Sequence, residues 1–336
     1  MPEVDAEGRR RAAALDAILI QRGRRPEADA AIRMSYTHIE QIPTLREPLL
    51  FVAFAGWNDA AESATTAARL LIEKWSAERF ADIDPEEFYD FTSTRPLVTV
   101  GADFQRDLQW PSNSFFYHAD PLLERDAVVL VGTEPHLKWR AFTSEIMEVA
   151  RQCGVGQVVT LGAMLTDAPH TRPVPLVGFA TSPELLDRLH EYQIGPTRYQ
   201  GPTGILGAIH DACRKSGIAA VSLWASVPHY LGVTQNPRVA QALLRAVDGL
   251  FGLHLDFGDL ERAVERFEVQ INAVIATNPE AAAYVTELER RADLALEGEP
   301  DESADALESP SSEALIKDLE EFLKRRRAQG DGGDDS

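Results

Sequence analysis

The sequence predicts an α/β protein, a mainly parallel sheet with helices on both sides. Two observations predict it. Residues 49–55 read LLFVAFA, an unbroken apolar run of the kind found in strands covered on both faces. Further strand-like runs then alternate with segments of helical periodicity, the rhythm of parallel sheets flanked by helices. With 336 residues and 44% hydrophobic composition, the chain can bury roughly 75% of its unfolded surface and build a core without staples.

Residues 1–34 are a charged, Ala-rich extension. An apolar stretch at 12–20 follows Arg9, Arg10 and Arg11 but is broken by Asp16 and followed by further arginines, which favours an amphipathic helix over a signal peptide. The core is placed at 35–254. Its first strand, 49–55, stops at Gly56, and Asn58 or Asp59 can cap a helix over 60–75. Strand signals at 96–100 and 114–118 have no helix between them, so 95–118 is expected to form an antiparallel edge or hairpin. Strands are then expected at 127–133, 157–164, 176–180 and 219–225, with helices at 138–153, 183–190, 203–216 and 237–249. From Leu255 the texture changes. Leu260, Val264, Phe267, Ile271, Val274 and Ile275 recur at helical spacing, and Asn278-Pro279 ends that helix and caps another from Glu280. Residues 255–296 are therefore read as a helical hairpin. Residues 297–336 are read as an acidic linker, a short helix at 313–327 and a flexible tail.

The chain carries 33 Lys and Arg against 53 Asp and Glu, a formal charge of −20. Such a surface repels nucleic acid and anionic lipid. No apolar run reaches the ~20 residues of a membrane helix. Two cysteines, Cys153 and Cys213, form no C-x-x-C pair and are expected as small buried residues. The readings that follow are a reduced, cytoplasmic setting, no metal site and no cofactor.

The chemistry-bearing residues cluster in turns at predicted strand ends, where open α/β sheets place ligand sites. Trp57, Asn58 and Asp59 follow the first strand; they can hold a ligand or shape an interface, or simply cap and pack. Glu134 and His136 follow 127–133 and could do acid–base work or form a solvated loop beyond Pro135. Gly162 closes another strand, leaving space for a pocket or for close packing. Gly201, Thr203 and Gly204 precede an apolar helix; they can hold an anion at its amino end, or Thr203 can cap it while glycine permits close approach. His229 and Tyr230 follow 219–225 as ligand or pocket residues, or as structural ones. No P-loop, G-x-S-x-G or H-E-x-x-H pattern is present.

Four segments, PLLFVAFAGWNDAAESA from Pro48, VGTEPHLKW from Val131, GPTGILGAIHDACRKSGIAAVSLWASVPHY from Gly201 and NPRVAQALL from Asn236, resemble the proteasome assembly chaperone 2 family in its actinobacterial branch. The resemblance spans 39–277. It implies a phosphorylase/hydrolase-like three-layer α/β/α sandwich, here with a C-terminal helical extension, and homo-oligomers, trimers among them. It also implies a non-enzymatic assembly or interaction role with proteasome subunits as partners. Some archaeal relatives dock through a terminal hydrophobic-Tyr-any motif; this chain ends Gly332-Gly333-Asp334-Asp335-Ser336, so docking of that kind is not expected. The alternative is an enzyme or binder of a small anionic molecule using the loops at the carboxyl ends of the strands.

Overall fold

The computed structural model describes residues 35–297 except 102, 103, 198, 233 and 234. The N-terminal helix, the acidic linker, the helix at 313–327 and the tail lie outside the described residues. In chain order the elements are β1 (Thr37–Ile39), β2 (Leu49–Ala55), α1 (Ser63–Trp75), β3 (Glu78–Ile83), β4 (Leu97–Val100), β5 (Arg106–Gln109), β6 (Asn113–His118), β7 (Ala127–Thr133), α2 (Trp139–Gln152), β8 (Gln157–Thr166), β9 (Leu176–Ala180), α3 (Pro183–Glu191), β10 (Gly195–Pro196), α4 (Ile205–Ser216), β11 (Ala219–Pro228), α5 (Pro237–Phe251), α6 (Gly258–Ala276) and α7 (Pro279–Glu297). A 3-10 turn, Ala60–Glu62, precedes α1, and another, His229–Leu231, follows β11.

Nine strands form one sheet in the order β1-β3-β6-β7-β2-β8-β11-β9-β10. Its centre, β7-β2-β8-β11, is parallel. The flanks differ from the mainly parallel expectation: β1, β3 and β6 run as an antiparallel series into β7, and β9 is antiparallel to β11. On the β6 side no helix lies between β3 and β7 among the described residues to carry a crossover to a parallel neighbour; β9 runs antiparallel to β11 although α3 and α4 lie between them.

The apolar run of β2 explains the layering. Successive side chains point to opposite faces. Leu49, Phe51 and Ala53 pack with α1 and α5 in one core that also takes Leu185 and Leu189 of α3. On the opposite face Phe54 meets Phe142 of α2 at 5.8 Å between ring centroids, and Thr160 of β8 meets His210 of α4. Helices thus cover both faces of the sheet, the three-layer α/β/α arrangement expected.

Three local departures stand out. β3, ERFADI, was not expected; its charged residues break the alternation, yet Phe80, Ala81 and Ile83 are buried, and the ladder to β6 shifts register between Arg79 and Ala81. The 95–118 stretch divides: β4 and β5 pair only with each other, whereas β6 enters the main sheet. The strand expected to end at residue 225 continues to Pro228, paired with β8 as far as Thr166. At the carboxyl end, α6 and α7 pack as a pair, with Asn278 Oδ1 accepting the Glu280 and Ala281 N–H groups. Phe267, Ile271, Ile275, Ala281, Val285 and Leu288 close around Tyr230 and Leu231 of the second 3-10 turn.

Candidate functional site

Glu134 is the knot of the carboxyl edge. It is the first residue past β7, and its N–H donates to Ala55 O at the end of β2 (2.8 Å). One carboxylate oxygen accepts from Asn58 Nδ2 (2.8 Å) and from the Ile205 N–H at the start of α4 (2.8 Å). The other accepts the Trp57 N–H (3.3 Å). Three loops, their contacts lying up to 77 positions from Glu134 in sequence, are thereby held by one side chain. The first orphan donor of α4 is capped from a distant strand rather than by Thr203, and a carboxylate at a helix amino end is favoured by the helix dipole.

Glycine makes this approach feasible. Gly56 has φ 127°, a region that favours glycine. A Cβ on Gly204 would sit 2.3 Å from Asn58 Oδ1, so the Asn58 amide fits only against a bare backbone. Asn58 is fully buried, and its backbone carbonyl accepts the Ala163 N–H at 2.9 Å. Asp59, also buried, accepts from the Ala64 N–H (2.6 Å), the Thr65 N–H (3.2 Å) and the Thr65 hydroxyl. It therefore caps α1 from across the 3-10 turn, as the sequence allowed for this residue. Burial raises its pKa above the ordinary 3.8, opposed by these hydrogen bonds.

Beside this knot lies a groove of about 740 Å³ on the α2–α4 side of β8, β11 and β9, within the ~300–1,000 Å³ range of ligand sites. Trp57, Gly201 and Thr203 line it with Leu165, Tyr199 and Trp224. Its floor is backed by a buried polar chain: Trp224 Nε1–H and the Thr160 hydroxyl both donate to Ser222 Oγ (3.0 and 2.9 Å), and His210 Nε2 meets Thr160 Oγ1 at 3.0 Å. Burial pushes the His210 pKa down to about 4, so the imidazole is neutral at pH 7. Gly162 faces Trp224 across the β8–β11 pair; a Cβ there would come within 2.7 Å of the indole. Of the two readings for Gly162, close packing is what it does.

The remaining candidates lie elsewhere. His136 Nδ1 accepts the Asp90 N–H at 3.0 Å and Nε2 meets Thr94 Oγ1 at 3.3 Å, holding the loop between β3 and β4. His229 turns to Asp167 (3.3 Å) and to Tyr284 of α7 (3.1 Å). Tyr230 is buried; its hydroxyl accepts the His170 N–H at 2.8 Å and meets His170 Nδ1 at 2.7 Å. Cys153 and Cys213 are buried, which raises their thiols to about 11 and about 12 and keeps them protonated. Among the described residues there is no group of His, Cys, Asp and Glu able to hold a metal ion, and no helix long and apolar enough to cross a membrane. Phe179, Tyr199 and Trp224 were not among the sequence candidates for the groove; Trp224, set in a buried strand beside Gly162, left only the signal of a large ring opposite a glycine.

The geometry is that of a three-layer α/β/α protein, its carboxyl-edge loops tied in this chain by a carboxylate beside an aromatic groove. The PAC2 family model matches residues 53–275, and the chain belongs to that family. Among solved structures, a PAC2 family protein of Streptomyces avermitilis is 38% identical, covering 71% of this chain and 99% of its own, with a TM-score of 0.65. A proteasome-assembly chaperone homologue of Mycobacterium tuberculosis is 39% identical, covering 70% and 99%, with a TM-score of 0.65. An archaeal proteasome activator of Pyrococcus furiosus shares the fold at 18% identity, covering 72% and 99%, with a TM-score of 0.58. No curated protein matches the chain.

Proposed function

We propose that this chain is a non-enzymatic, cytoplasmic assembly protein that works as a homo-oligomer and binds proteasome subunits. The observation that carries the reading is how the ionisable groups of the carboxyl edge are employed. Glu134 is engaged by three N–H donors, His136 by the Asp90 loop and His229 by Asp167 and Tyr284. General acid–base work needs a group within reach of a substrate proton, and these groups are directed at the protein's own loops. What faces outward at the same edge is aromatic: Trp57 is 62% and Tyr199 64% exposed, residue types that dominate binding hot spots. The mycobacterial relative named as a proteasome-assembly chaperone homologue lends the partner class. The alternative, a small anionic ligand, has less support, because no Lys, Arg or His lines the groove among the described residues.

The test is direct. Full-length protein is mixed with purified proteasome α-subunits and followed by native mass spectrometry and by the rate at which full particles form. A defined complex and faster assembly are expected. No complex at micromolar concentration, with assembly unchanged, would overturn the proposal.

A further inference from the structure

Trp224 is laid flat on the sheet, and a glycine is the reason. Gly162 pairs with Trp224 across the β8–β11 ladder, and directly paired residues share a face of the sheet. A Cβ on Gly162 would stand 2.7, 2.8 and 2.9 Å from three carbons of the indole, so it would lie under the face of the ring and lift it out of place. The ring is also fixed in its plane: its Nε1–H donates to Ser222 Oγ at 3.0 Å, two residues back on the same face of β11. One face of the indole therefore rests on β8. The other looks into the groove, and along β11 from Ala220 to Pro228 Trp224 is the one residue that is not buried.

The surroundings of this platform define what it takes. Val177 and Phe179 of β9 pair with Trp224 and Ser222 and stand beside them on the same face of the sheet; all four line the groove. No described lining residue is Asp, Glu, Lys, Arg or His. A charged ligand of either sign would leave water for a trough that offers no counter-charge, which is costly. An anion would in addition face the Glu134 carboxylate, which accepts the Trp57 N–H at the rim. Ser222 adds one polar requirement. It is fully buried, and its Oγ accepts from both Trp224 and Thr160, which occupies its two lone pairs. Its own hydrogen has no acceptor among the described residues and is left to donate into the groove.

We propose that the groove binds a small, uncharged, planar aromatic molecule that stacks on the free face of Trp224 and accepts a hydrogen bond from the Ser222 hydroxyl. Aromatic rings prefer offset stacks, and an indole already held flat needs no rearrangement to receive one. The volume of about 740 Å³ suits a small molecule. The platform is built from side chains of β9 and β11 and the bare backbone of Gly162 in β8, all within the sheet. Trp57 and Tyr199, in contrast, stand exposed on loops. The ligand site is therefore a different surface from an aromatic rim that meets a protein, and the proposal does not depend on the assembly role.

The experiment uses the full chain and ligand-observed NMR titration. Quinolin-2-one, flat and uncharged with one carbonyl, is the probe. Naphthalene lacks the acceptor, and quinoline-2-carboxylate and N-methylquinolinium carry a negative and a positive charge. Quinolin-2-one is expected to bind about fivefold or more tightly than each of the other three. Trp224→Leu and Gly162→Ala are expected to weaken it about tenfold or more, and Ser222→Ala to remove its advantage over naphthalene. Thr203→Trp fills the groove from an exposed position and is expected to abolish binding with unchanged far-UV circular dichroism, so the test does not rest on the buried variants folding. No binding of quinolin-2-one to the wild type, binding unaltered by Trp224→Leu or by Thr203→Trp, or a charged probe bound as tightly would each overturn the proposal. An end-blocked Gly-Tyr-Gly peptide that binds where quinolin-2-one does not would assign the groove to a protein partner and overturn it as well.

Discussion

Glu134 presents two carboxylate oxygens to three N–H groups, and that ratio decides what substitution does. Alanine removes every acceptor and strands Asn58 Nδ2, the Ile205 N–H and the Trp57 N–H. Leaving such donors unsatisfied costs about 1–3 kcal/mol. Glutamine keeps one oxygen, which can still serve Asn58 and Ile205, and is expected to lose less than about 1 kcal/mol. Urea denaturation of the two variants reads the difference; equal stabilities of Glu134→Ala and the wild type would remove Glu134 as the tie between loops. His210 supplies a pH dependence of known sign. Its pKa is about 4 folded against an ordinary 6.5. Between those values the unfolded chain binds a proton that the folded chain refuses. The stability His210 contributes is therefore present above pH 6.5 and lost as pH falls toward 4, by up to about 3 kcal/mol. His210→Leu is expected to flatten that part of the pH–stability profile measured by thermal or urea unfolding between pH 7 and 4.

At the scale of elements, the second 3-10 turn decides how the C-terminal helices attach. Tyr230 is buried between β11 and the α6–α7 pair, among Phe267, Ile271 and Val285. Tyr230→Phe keeps the ring and removes the hydroxyl that accepts the His170 N–H, so a loss of about 1–3 kcal/mol is expected. Ile271→Ala opens a cavity in the same cluster and is expected to cost about 2–5 kcal/mol. Hydrogen exchange would locate both effects: α6 and α7 should lose protection before the central strands do. Legibility follows the range of the forces involved. β2 and β7 are readable because both faces are buried and the apolar run is unbroken. The α6 repeat and the Asn278 cap are readable because helical periodicity and capping are local. β3 is not, because its burial depends on β1 and β6, which flank it in space and not in sequence. The site divides in the same way. The turns at Gly56, Glu134 and Gly201 are visible as turns, whereas the capping of α4 by Glu134 spans 71 positions and leaves no local trace. His229 and Tyr230 read as strand-end candidates because the residues that occupy them, Tyr284 and His170, lie 55 and 60 positions away.

For the whole molecule, charge and apolar surface oppose each other. Each chain carries −20, so bringing copies together raises their mutual repulsion. What faces outward beside the groove is aromatic, Trp57 and Tyr199, so a contact between copies made there is expected to rest on apolar burial and not on ion pairs. Added salt then acts in one direction only. The Debye length falls from about 30 Å at 0.01 M to about 10 Å at 0.1 M and 3 Å at 1 M, and repulsion between copies is screened while apolar burial persists. Self-association is therefore expected to strengthen several-fold between 20 and 500 mM sodium chloride, read as a fall in the concentration at which sedimentation velocity finds half the chains assembled. An interface held by salt bridges would weaken over the same range. The sign of the salt dependence thus separates an apolar contact between copies from an ion-paired one without any substitution, and weakening with salt would move the interface away from the Trp57–Tyr199 surface.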